Sequence, residues 1–439
     1  MKATSAVLLF VSLFVPFAFF NHSDGWNQGA RLAELHAIVL RGTLRIDAYH
    51  EITGEKALID GHYYSERARA TVLAALPAFG LAVLAQKAMG VDPDSPQGWR
   101  ASQWIATAGS VGVLAALGGV AFFALIEARL GVRTGLVSTY ALFLGSLTFP
   151  YAAALFAHAG TIGLLAIALW GTLGPPSARR DYLAGIAAGF AVASEYPAVL
   201  PCAAIGLYFM AVDVRRMRRF VLGTVPAAAL ILLNNYLITG SPLQVGYGSN
   251  PQFPELNNSN LMGFRAPDLA LTPALLWSEY RGLFYWSPAL VMALPGAVWL
   301  ARRDHAAAAL AIGGFLLVFL QVAAFYSWHG GNAVGLRYIS PGLPFLGFIA
   351  AYGIWRFPTI GTLLTVASVL LMGMVTAIAI DPPADAPTPL RLFYLVRVRD
   401  SRFADNLGTL SGLSVPASLA VLGSVVIASA AVVVLTPRG

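Results

Sequence analysis

Chemically reactive side chains concentrate in one polar stretch near the start of the chain, residues 21–69, named here the first polar loop. It is about one ninth of the sequence but holds seven of the 21 acids and four of the seven histidines. Acids, histidines, arginines and aromatic rings beside a membrane suit a site for a charged, sugar-like head group. The alternative is that a water-exposed loop is simply where charge belongs. The acids and histidines are Asp24, Glu34, Asp47, Glu51, Glu55, Asp60, Glu66, His22, His36, His50 and His62.

A second candidate strip, residues 327–338, combines several glycines with His329, Arg337 and Tyr338. Glycines let the backbone approach a ligand closely, and an arginine at a membrane boundary can grip a phosphate. Arg281, at a similar return into an apolar run, is a comparable phosphate candidate. Alternatively, both places are ordinary turns that carry the Trp/Tyr belt of a membrane interface.

Three ionisable residues lie within apolar runs: Glu195, Glu127 and His158. An acid inside a membrane is costly and usually faces a cavity or a partner. Glu195, which precedes Pro197, is the best site candidate of the three. It either lines a catalytic cavity or pairs with an arginine, while His158 is expected to be a hydrogen-bonded packing residue.

The composition requires these residues to be positioned by membrane-spanning helices. Hydrophobic residues make up 57% of the chain and charged residues 11%, and the mean hydropathy is +0.69, whereas a globular domain averages roughly 25% charged residues. The apolar excess must therefore face lipid. This predicts an all-α polytopic integral membrane protein with a single membrane-embedded domain, and it excludes soluble enzymes and free nucleic-acid binders. Without a Walker A loop, a dinucleotide fingerprint or a CxxC pair, neither ATP hydrolysis nor a redox cofactor is indicated.

Apolar runs of suitable length predict about 11 to 13 transmembrane helices. The first, residues 5–20, is interpreted as an uncleaved span with its N-terminus in the cytoplasm. Between residues 70 and 174 the positive-inside rule and strict alternation disagree by one crossing, so one run there is expected to be re-entrant or interfacial. The further runs are 70–90, 102–127, 134–150, 158–174, 182–195, 197–213, 220–238, 284–301, 306–326, 338–355, 358–380 and 413–435.

Short connectors rich in arginine orient these spans, because such connectors favour the cytoplasm. They place the first polar loop outside, together with a second polar loop at 239–283 and a third at 381–412. Within the first polar loop, the apolar periodicity of residues 30–40 predicts an amphipathic helix at the interface. The third polar loop has both arginines and aspartates, so it either holds an anionic ligand such as a lipid phosphate or neutralises itself.

Several stretches together carry a resemblance to a known class. A short first span followed by RLAELHAIVLRGTLRID and GHYYSERARATVLAALP resembles the GT-C class of membrane glycosyltransferases. The similarity is strongest to the bacterial branch related to protein O-mannosyltransferases and lipid A aminoarabinose transferases. The later stretches TGSPLQVGY, RGLFYWSP and WHGGNAVGLRYISPGLP are similar to the same group.

This resemblance implies an inverting glycosyl transfer from a polyprenyl-phosphate sugar at the extracytoplasmic face of a bacterial cytoplasmic membrane. The acceptor is a hydroxyl of a lipid, a glycan or a protein, and no nucleic acid takes part. An acid acts as general base, while cationic side chains stabilise the leaving phosphate. The resemblance names no required cofactor, and it leaves open whether a divalent cation takes part. The alternatives are a flippase or transporter of polyprenyl-linked glycans, and a ligase or polymerase of surface glycans.

Departures from the family pattern shape the predicted site. Aligning RLAEL with the family's first-loop helix puts Gln28 where relatives carry the catalytic aspartate, and an amide cannot act as a base. The resemblance therefore moves that role to Asp24, with Asp47 next and Asp60 third. Arg67 stands where relatives carry a lysine and keeps the charge with a forked geometry. The predicted substrate-binding residues are Gln28, His62, Tyr63, Tyr64, Arg67, Glu195, Arg281, His329, Arg337 and Tyr338.

Overall fold

The computed structural model describes residues 3–22, 25–253 and 263–435, which are almost entirely helical. This confirms the predicted all-α membrane fold. Strands in the described ranges are limited to a two-stranded hairpin, β1 (Lys56–Ile59) and β2 (His62–Ser65). The helices are α1 (Ala3–Phe19), α2 (Trp26–Arg41), α3 (Ala70–Ala88), α4 (Pro96–Thr107), α5 (Val113–Leu130), α6 (Val132–Phe143), α7 (Thr148–Ala152), α8 (Ala157–Leu173), α9 (Ala178–Ser194), α10 (Val199–Val212), α11 (Val214–Thr239), α12 (Thr272–Trp277), α13 (Leu283–Trp286), α14 (Ala293–Arg303), α15 (His305–Ala324), α16 (Leu343–Arg356), α17 (Pro358–Ile378), α18 (Leu395–Arg399), α19 (Leu407–Leu410) and α20 (Val415–Leu435).

Membrane-spanning helices make up most of this architecture. In the part of the chain that the structure describes, seven helical segments are long and apolar enough to cross a membrane, and three shorter apolar segments accompany them. The protein is therefore an integral, multi-pass membrane protein. The seven longer segments are Ala70–Ala88, Pro96–Leu130, Val214–Thr239, His305–Ala324, Arg337–Arg356, Pro358–Ile378 and Val415–Val433; the shorter ones are Ala3–Phe19, Ala157–Leu173 and Tyr196–Val212.

The stretch between residues 70 and 174, where the predicted crossings disagreed, contains one very long helix and one short one. Helices α4 and α5 join through a π-helical turn into one segment of 35 residues, about 52 Å long. It exceeds a hydrocarbon core of roughly 30 Å. The predicted run 134–150 is instead divided between α6 and α7. With 12 residues, α6 is only about 18 Å long, too short to cross that core alone.

Small residues allow the helices to pack closely at two crossings. A Cβ atom added to Gly118 on α5 would overlap the backbone of Gly163 on α8. In the same way, Gly185 on α9 lies against Phe220 and Gly223 on α11. Between helices in lipid, such close approach supplies van der Waals contact that larger side chains would prevent.

The arginine-rich connectors meet at one end of the bundle. The Arg129 guanidinium forms an ion pair with Asp304 (3.0 Å) and donates to the Leu173 carbonyl (2.9 Å). Arg216 forms an ion pair with the buried Asp181 (2.9 Å). These contacts join the ends of α5, α8, α9 and α11 and the connector between α14 and α15, so several of the arginine-rich connectors lie together.

The three polar loops meet at the opposite end. In the first polar loop, the Asn21 N–H donates to the Asp405 carbonyl of the third loop (3.0 Å). The Arg67 guanidinium donates to the Tyr247 hydroxyl of the second loop (3.2 Å). This polar end is therefore built from segments that lie far apart in the sequence.

Two local structures shape the first polar loop. The predicted amphipathic helix is α2, which ends at Gly42 in the left-handed conformation (φ 63°) that glycine adopts without strain. The hairpin turns at Asp60 (φ 51°) and Gly61 (φ 78°), the Asp-Gly pair favoured in two-residue type I′ turns. Because β2 ends at Ser65, the hairpin places the next two residues, Glu66 and Arg67, at the polar end of the bundle.

Candidate functional site

Arg67 is the centre of a buried charged group under the hairpin. Its Nη2 atom forms ion pairs with Glu55 (2.6 Å) and Glu66 (3.2 Å), and its Nη1 atom donates to the Tyr247 hydroxyl. The Tyr247 ring also lies beneath the guanidinium, with 5.4 Å between the guanidinium carbon and the ring centroid. These contacts fix the position of Arg67, while its Nε atom has no hydrogen-bond partner among the described residues.

Glu66 is the more deeply buried of the two acids. Its side chain is 2% exposed, and burial raises its pKa to about 7 even though Arg67 favours the ionised form. The nearby Glu55 carboxylate raises the pKa further. The Asn250 amide donates to the Glu66 Oε2 atom (2.6 Å), which connects the second polar loop to the hairpin. Glu66 therefore changes its protonation near neutral pH.

Arg31 contributes a second guanidinium from the buried face of α2. It donates to the Asn27 carbonyl (3.0 Å) and to the Asn27 side-chain oxygen. Burial, together with the like charge of Arg67, lowers the pKa of Arg31 to about 10. Its Nε atom is buried and has no partner in the described part of the chain.

Arg337 contributes a third guanidinium from the glycine-rich strip. It donates to the Tyr338 hydroxyl (3.2 Å) and lies 5.9 Å from the Phe156 ring centroid. Gly330 has a φ of 75°, and a Cβ atom there would come within 2.7 Å of the Arg337 Nε atom. The glycine therefore makes room for the arginine. No described residue accepts a hydrogen bond from this Nε atom.

A carboxylate with one free oxygen lies beside these arginines. The Glu195 Oε1 atom is 2.8 Å from the His158 Nδ1 atom, and the Glu195 Oε2 atom is buried without a partner in the described ranges. The charge of Glu195 acts on Arg31. The His158 ring packs against Phe156, whose ring also faces Arg337. Glu195 thus borders the same space as the arginines.

Together, Arg31, Arg67 and Arg337 form what is named here the arginine cluster. Glu55 forms an ion pair with Arg67 and also acts electrostatically on Arg31 and Arg337, so its carboxylate lies near all three guanidinium groups. Each presents a buried Nε–H without a protein acceptor, and buried polar groups are rarely left unpaired. Guanidinium groups in this arrangement can hold a phosphate, and the free Glu195 oxygen can accept a proton.

Comparisons with known proteins agree with this architecture. No family model and no curated protein matches the sequence. The crystal structure of ArnT from Cupriavidus metallidurans bound to undecaprenyl phosphate superposes with a TM-score of 0.54 at 16% identity, covering 98% of this chain and 73% of that one. The oligosaccharyltransferase of Archaeoglobus fulgidus gives a TM-score of 0.50 at 12% identity, covering 87% of this chain and 54% of that one. Both are GT-C proteins. This chain has the GT-C fold.

The predicted base candidates lie in three different places of this GT-C protein. Asp24 falls outside the described residues. Asp47 is exposed and accepts hydrogen bonds from the Tyr63 N–H (2.6 Å) and His62 (2.8 Å). Slight burial opposes ionisation of Asp47, but these bonds keep its pKa below the ordinary value. Asp60 is the exposed turn residue of the hairpin. Neither Asp47 nor Asp60 is in contact with the arginine cluster.

Among the predicted binding residues, Arg67, Glu195, Arg337 and Tyr338 come together, whereas the Gln28 side chain is engaged in packing contacts. Gln28 is fully buried, and its side-chain oxygen accepts from the Leu155 N–H (3.0 Å) and from Gln103. It therefore links α2 to α4 and to the segment between α7 and α8. Tyr63 and Tyr64 belong to β2, where Tyr64 is buried against β1.

Arg281 and His329 hold the glycine-rich strip in position. The fully buried Arg281 donates to the carbonyls of Tyr280 (3.2 Å), His329 (3.3 Å) and Gly331 (3.0 Å). Burial lowers its pKa. The His329 Nδ1 atom accepts from the Gly331 N–H (3.1 Å), and burial, with Arg281 nearby, lowers the pKa of His329. Both residues act on the backbone that carries Arg337.

Sequence reasoning missed Arg31, Glu55, Glu66 and Tyr247 as site residues. A signal for Arg31 exists, because it lies on the buried face of α2 together with Glu34, and a charge on an apolar face is unusual. Glu55, Glu66 and Tyr247 join the site only through the hairpin and the second polar loop. No group of three or more His, Cys, Asp or Glu residues in the described part of the chain is arranged to hold a metal ion.

Proposed function

We propose that this protein is a glycosyltransferase that moves a sugar from a polyprenyl-phosphate donor to an acceptor hydroxyl, with inversion, at the extracytoplasmic face of a bacterial cytoplasmic membrane. The observation that carries this proposal is the arginine cluster with its three unpaired Nε–H groups beside the free oxygen of Glu195. The GT-C fold supports the reaction class, and the undecaprenyl phosphate bound to the ArnT structure supports a polyprenyl donor. The acceptor is a lipid, a glycan or a protein.

The arginine cluster binds the donor phosphate in this proposal. A phosphodiester carries a negative charge. The three guanidinium groups supply more positive charge than the two acids around Arg67 neutralise, so an anion can complete the balance. As the bond between the anomeric carbon and the phosphate oxygen breaks, charge develops on that oxygen, where the fixed N–H groups stabilise it. The polyprenyl tail stays among the apolar helices, while phosphate and sugar reach the polar end of the bundle.

Glu195 is the proposed general base. Its free Oε2 atom accepts the proton of the acceptor hydroxyl as the oxygen forms a new bond to the anomeric carbon. The polyprenyl phosphate leaves with the electron pair of the broken bond. His158 holds the other oxygen, Oε1, and so orients the carboxylate. Asp24 is the second candidate for this role, since it follows the first span within the first polar loop.

A transfer assay on the purified full chain in lipid nanodiscs tests the proposal. The protein is incubated with a panel of radiolabelled polyprenyl-phosphate sugars and an envelope extract as acceptor. We expect Glu195→Gln to lower the rate at least about a hundredfold, the scale of general-base catalysis. Glu127→Gln, the same chemical change two residues from Arg129 at the opposite end of the bundle, should leave the rate unchanged.

Other results would redirect the proposal. Full activity in Glu195→Gln, combined with its loss in Asp24→Asn, would move the base to Asp24. Activity that tolerates both changes but disappears in Arg337→Met would favour a ligase that depends on arginines. Movement of a lipid-linked glycan between leaflets, without transfer from any donor, would replace the enzyme by a transporter.

A further inference from the structure

A groove at the polar end of the bundle lies apart from the arginine cluster. It has a volume of about 550 Å³, within the range of cavities that bind small ligands. One wall comes from the chain between α2 and β1, and the other comes from the start of α4 and the residues before it. The lining residues that matter below are Asp47, Tyr49, Glu51, Asp94 and Trp99.

The aromatic part of the groove is held rigidly. Trp99 stacks on His36 with 3.6 Å between ring centroids, and Tyr49 lies 5.5 Å from Trp99. The Tyr49 hydroxyl accepts from the Arg41 Nε atom (3.1 Å) and donates to Asp94 (3.0 Å). His36 is fully buried behind this wall. Two ring surfaces are thus fixed in place, which reduces the entropy that a ligand must lose on binding.

The polar part of the groove consists of hydrogen-bond acceptors. Asp47, Glu51 and Asp94 contribute three carboxylates, which in the ionised form only accept hydrogen bonds. Among the described residues that line the groove, none is a lysine or an arginine. The groove surface therefore presents carboxylates, in contrast to the guanidinium groups of the arginine cluster. The cations beside it already have partners, since Arg41 bonds the Tyr49 hydroxyl and Lys56 bonds His50.

We propose that this groove binds a saccharide without anionic groups and that this saccharide is part of the acceptor. Sugar rings present apolar C–H faces, which pack on aromatic rings, and hydroxyl groups, which donate to carboxylates. The identification as an acceptor rests on the proposed function. It is supported by position, because Glu51 lies only four residues before Glu55 of the donor site. Four residues span at most about 14 Å, so a bound glycan can extend from the groove to the arginine cluster.

Direct binding measurements on the full chain in nanodiscs test this proposal. The probes are neutral and amino oligosaccharides, sulfated oligosaccharides of the same length, and a basic peptide. We expect the neutral or amino oligosaccharides to bind, and Glu51→Lys and Trp99→Ala each to weaken that binding at least about tenfold. Glu51 is exposed, so its substitution leaves the fold intact even if Trp99→Ala does not. The matched control is Asp385→Lys, a charge reversal at an exposed residue of the third polar loop.

Each contrary result is informative. Equal binding of sulfated oligosaccharides, preferential binding of the basic peptide, or affinity that Glu51→Lys leaves unchanged would overturn the saccharide groove. If the oligosaccharide binds through the groove but no sugar is transferred, the groove stands and the proposed function fails. If transfer occurs and Glu51→Lys changes neither binding nor the KM for the acceptor, the proposed function stands and the groove fails.

Discussion

Glu66 makes folding stability depend on pH in a direction that its burial determines. Because its pKa is raised to about 7 in the folded protein, above the ordinary value of about 4.3, the folded state holds the proton more tightly than the unfolded chain. Its stabilising contribution to the free energy of unfolding is therefore fully present below the pKa that Glu66 has in the unfolded chain. This contribution is lost as the pH rises through 7. Glu66→Gln keeps the shape and an oxygen for Asn250 but cannot ionise.

The size of this effect follows from the shift. One pKa unit corresponds to about 1.4 kcal/mol, so the whole shift is worth about 3–4 kcal/mol. Between pH 5 and pH 8, the wild type should lose about 2–3 kcal/mol of unfolding free energy relative to Glu66→Gln. With a side chain 2% exposed, Glu66 is poorly screened by solvent.

The difference between the two proteins is the proper measurement, because His36 acts in the opposite direction. Burial lowers the pKa of His36 to about 4, so its contribution is present above about 6.5 and is lost as pH falls through 4. The two trends partly cancel in the wild type. Unfolding followed by tryptophan fluorescence at pH 5, 6.5 and 8, in detergent at low salt, gives the difference directly.

Glu51→Gln is the control for this experiment, since it makes the same chemical change at an exposed glutamate of the same loop. Its unfolding free energy relative to the wild type should stay constant across the pH range. A constant difference for Glu66→Gln as well would show that water reaches Glu66. In that case the packing of the hairpin against Asn250 and Arg67 would not exist as described, and the reasoning would be refuted.

Three further predictions concern packing and charge. Glu34→Gln should destabilise the fold by about 3–5 kcal/mol, because it leaves Arg69, its ion-pair partner at 2.5 Å, buried without a counter-charge. Chemical unfolding measures this loss, and the double variant with Arg69→Met should recover the stability. Gly330→Ala should displace Arg337 and raise the KM for the donor with a smaller effect on thermal stability, as separate transfer and melting assays would show. Gly118→Val should force α5 away from α8 and reduce the yield of folded protein in gel filtration, whereas unchanged yield would contradict the close crossing.

The fold was predictable in outline because lipid exposure leaves a strong mark on composition. The apolar runs became helices, and the amphipathic pattern at residues 30–40 became α2. The hairpin went unpredicted although its signal was present, an Asp-Gly pair flanked by β1 and β2. In a chain dominated by helical runs, two strands of four residues each carry too little periodicity to stand out.

The candidate site was predictable only where chemistry marks a residue locally. Arg337 stood out in a glycine-rich strip, and Glu195 stood out as an acid in an apolar run. Glu66 did not, because its raised pKa depends on burial and on Asn250, which is 184 residues away in the chain. Partners at such separations are set by tertiary packing, which local patterns do not encode.

Buried arginine N–H groups without acceptors connect folding stability with the proposed function in this protein. At the basic end of the bundle, Arg129 and Arg216 are matched by Asp304 and Asp181, an arrangement suited to holding helices together. The arginine cluster at the polar end keeps three N–H groups without acceptors, which costs free energy in the absence of a ligand. In the proposed function, the donor phosphate supplies acceptors for all three N–H groups, so binding of the donor removes this cost.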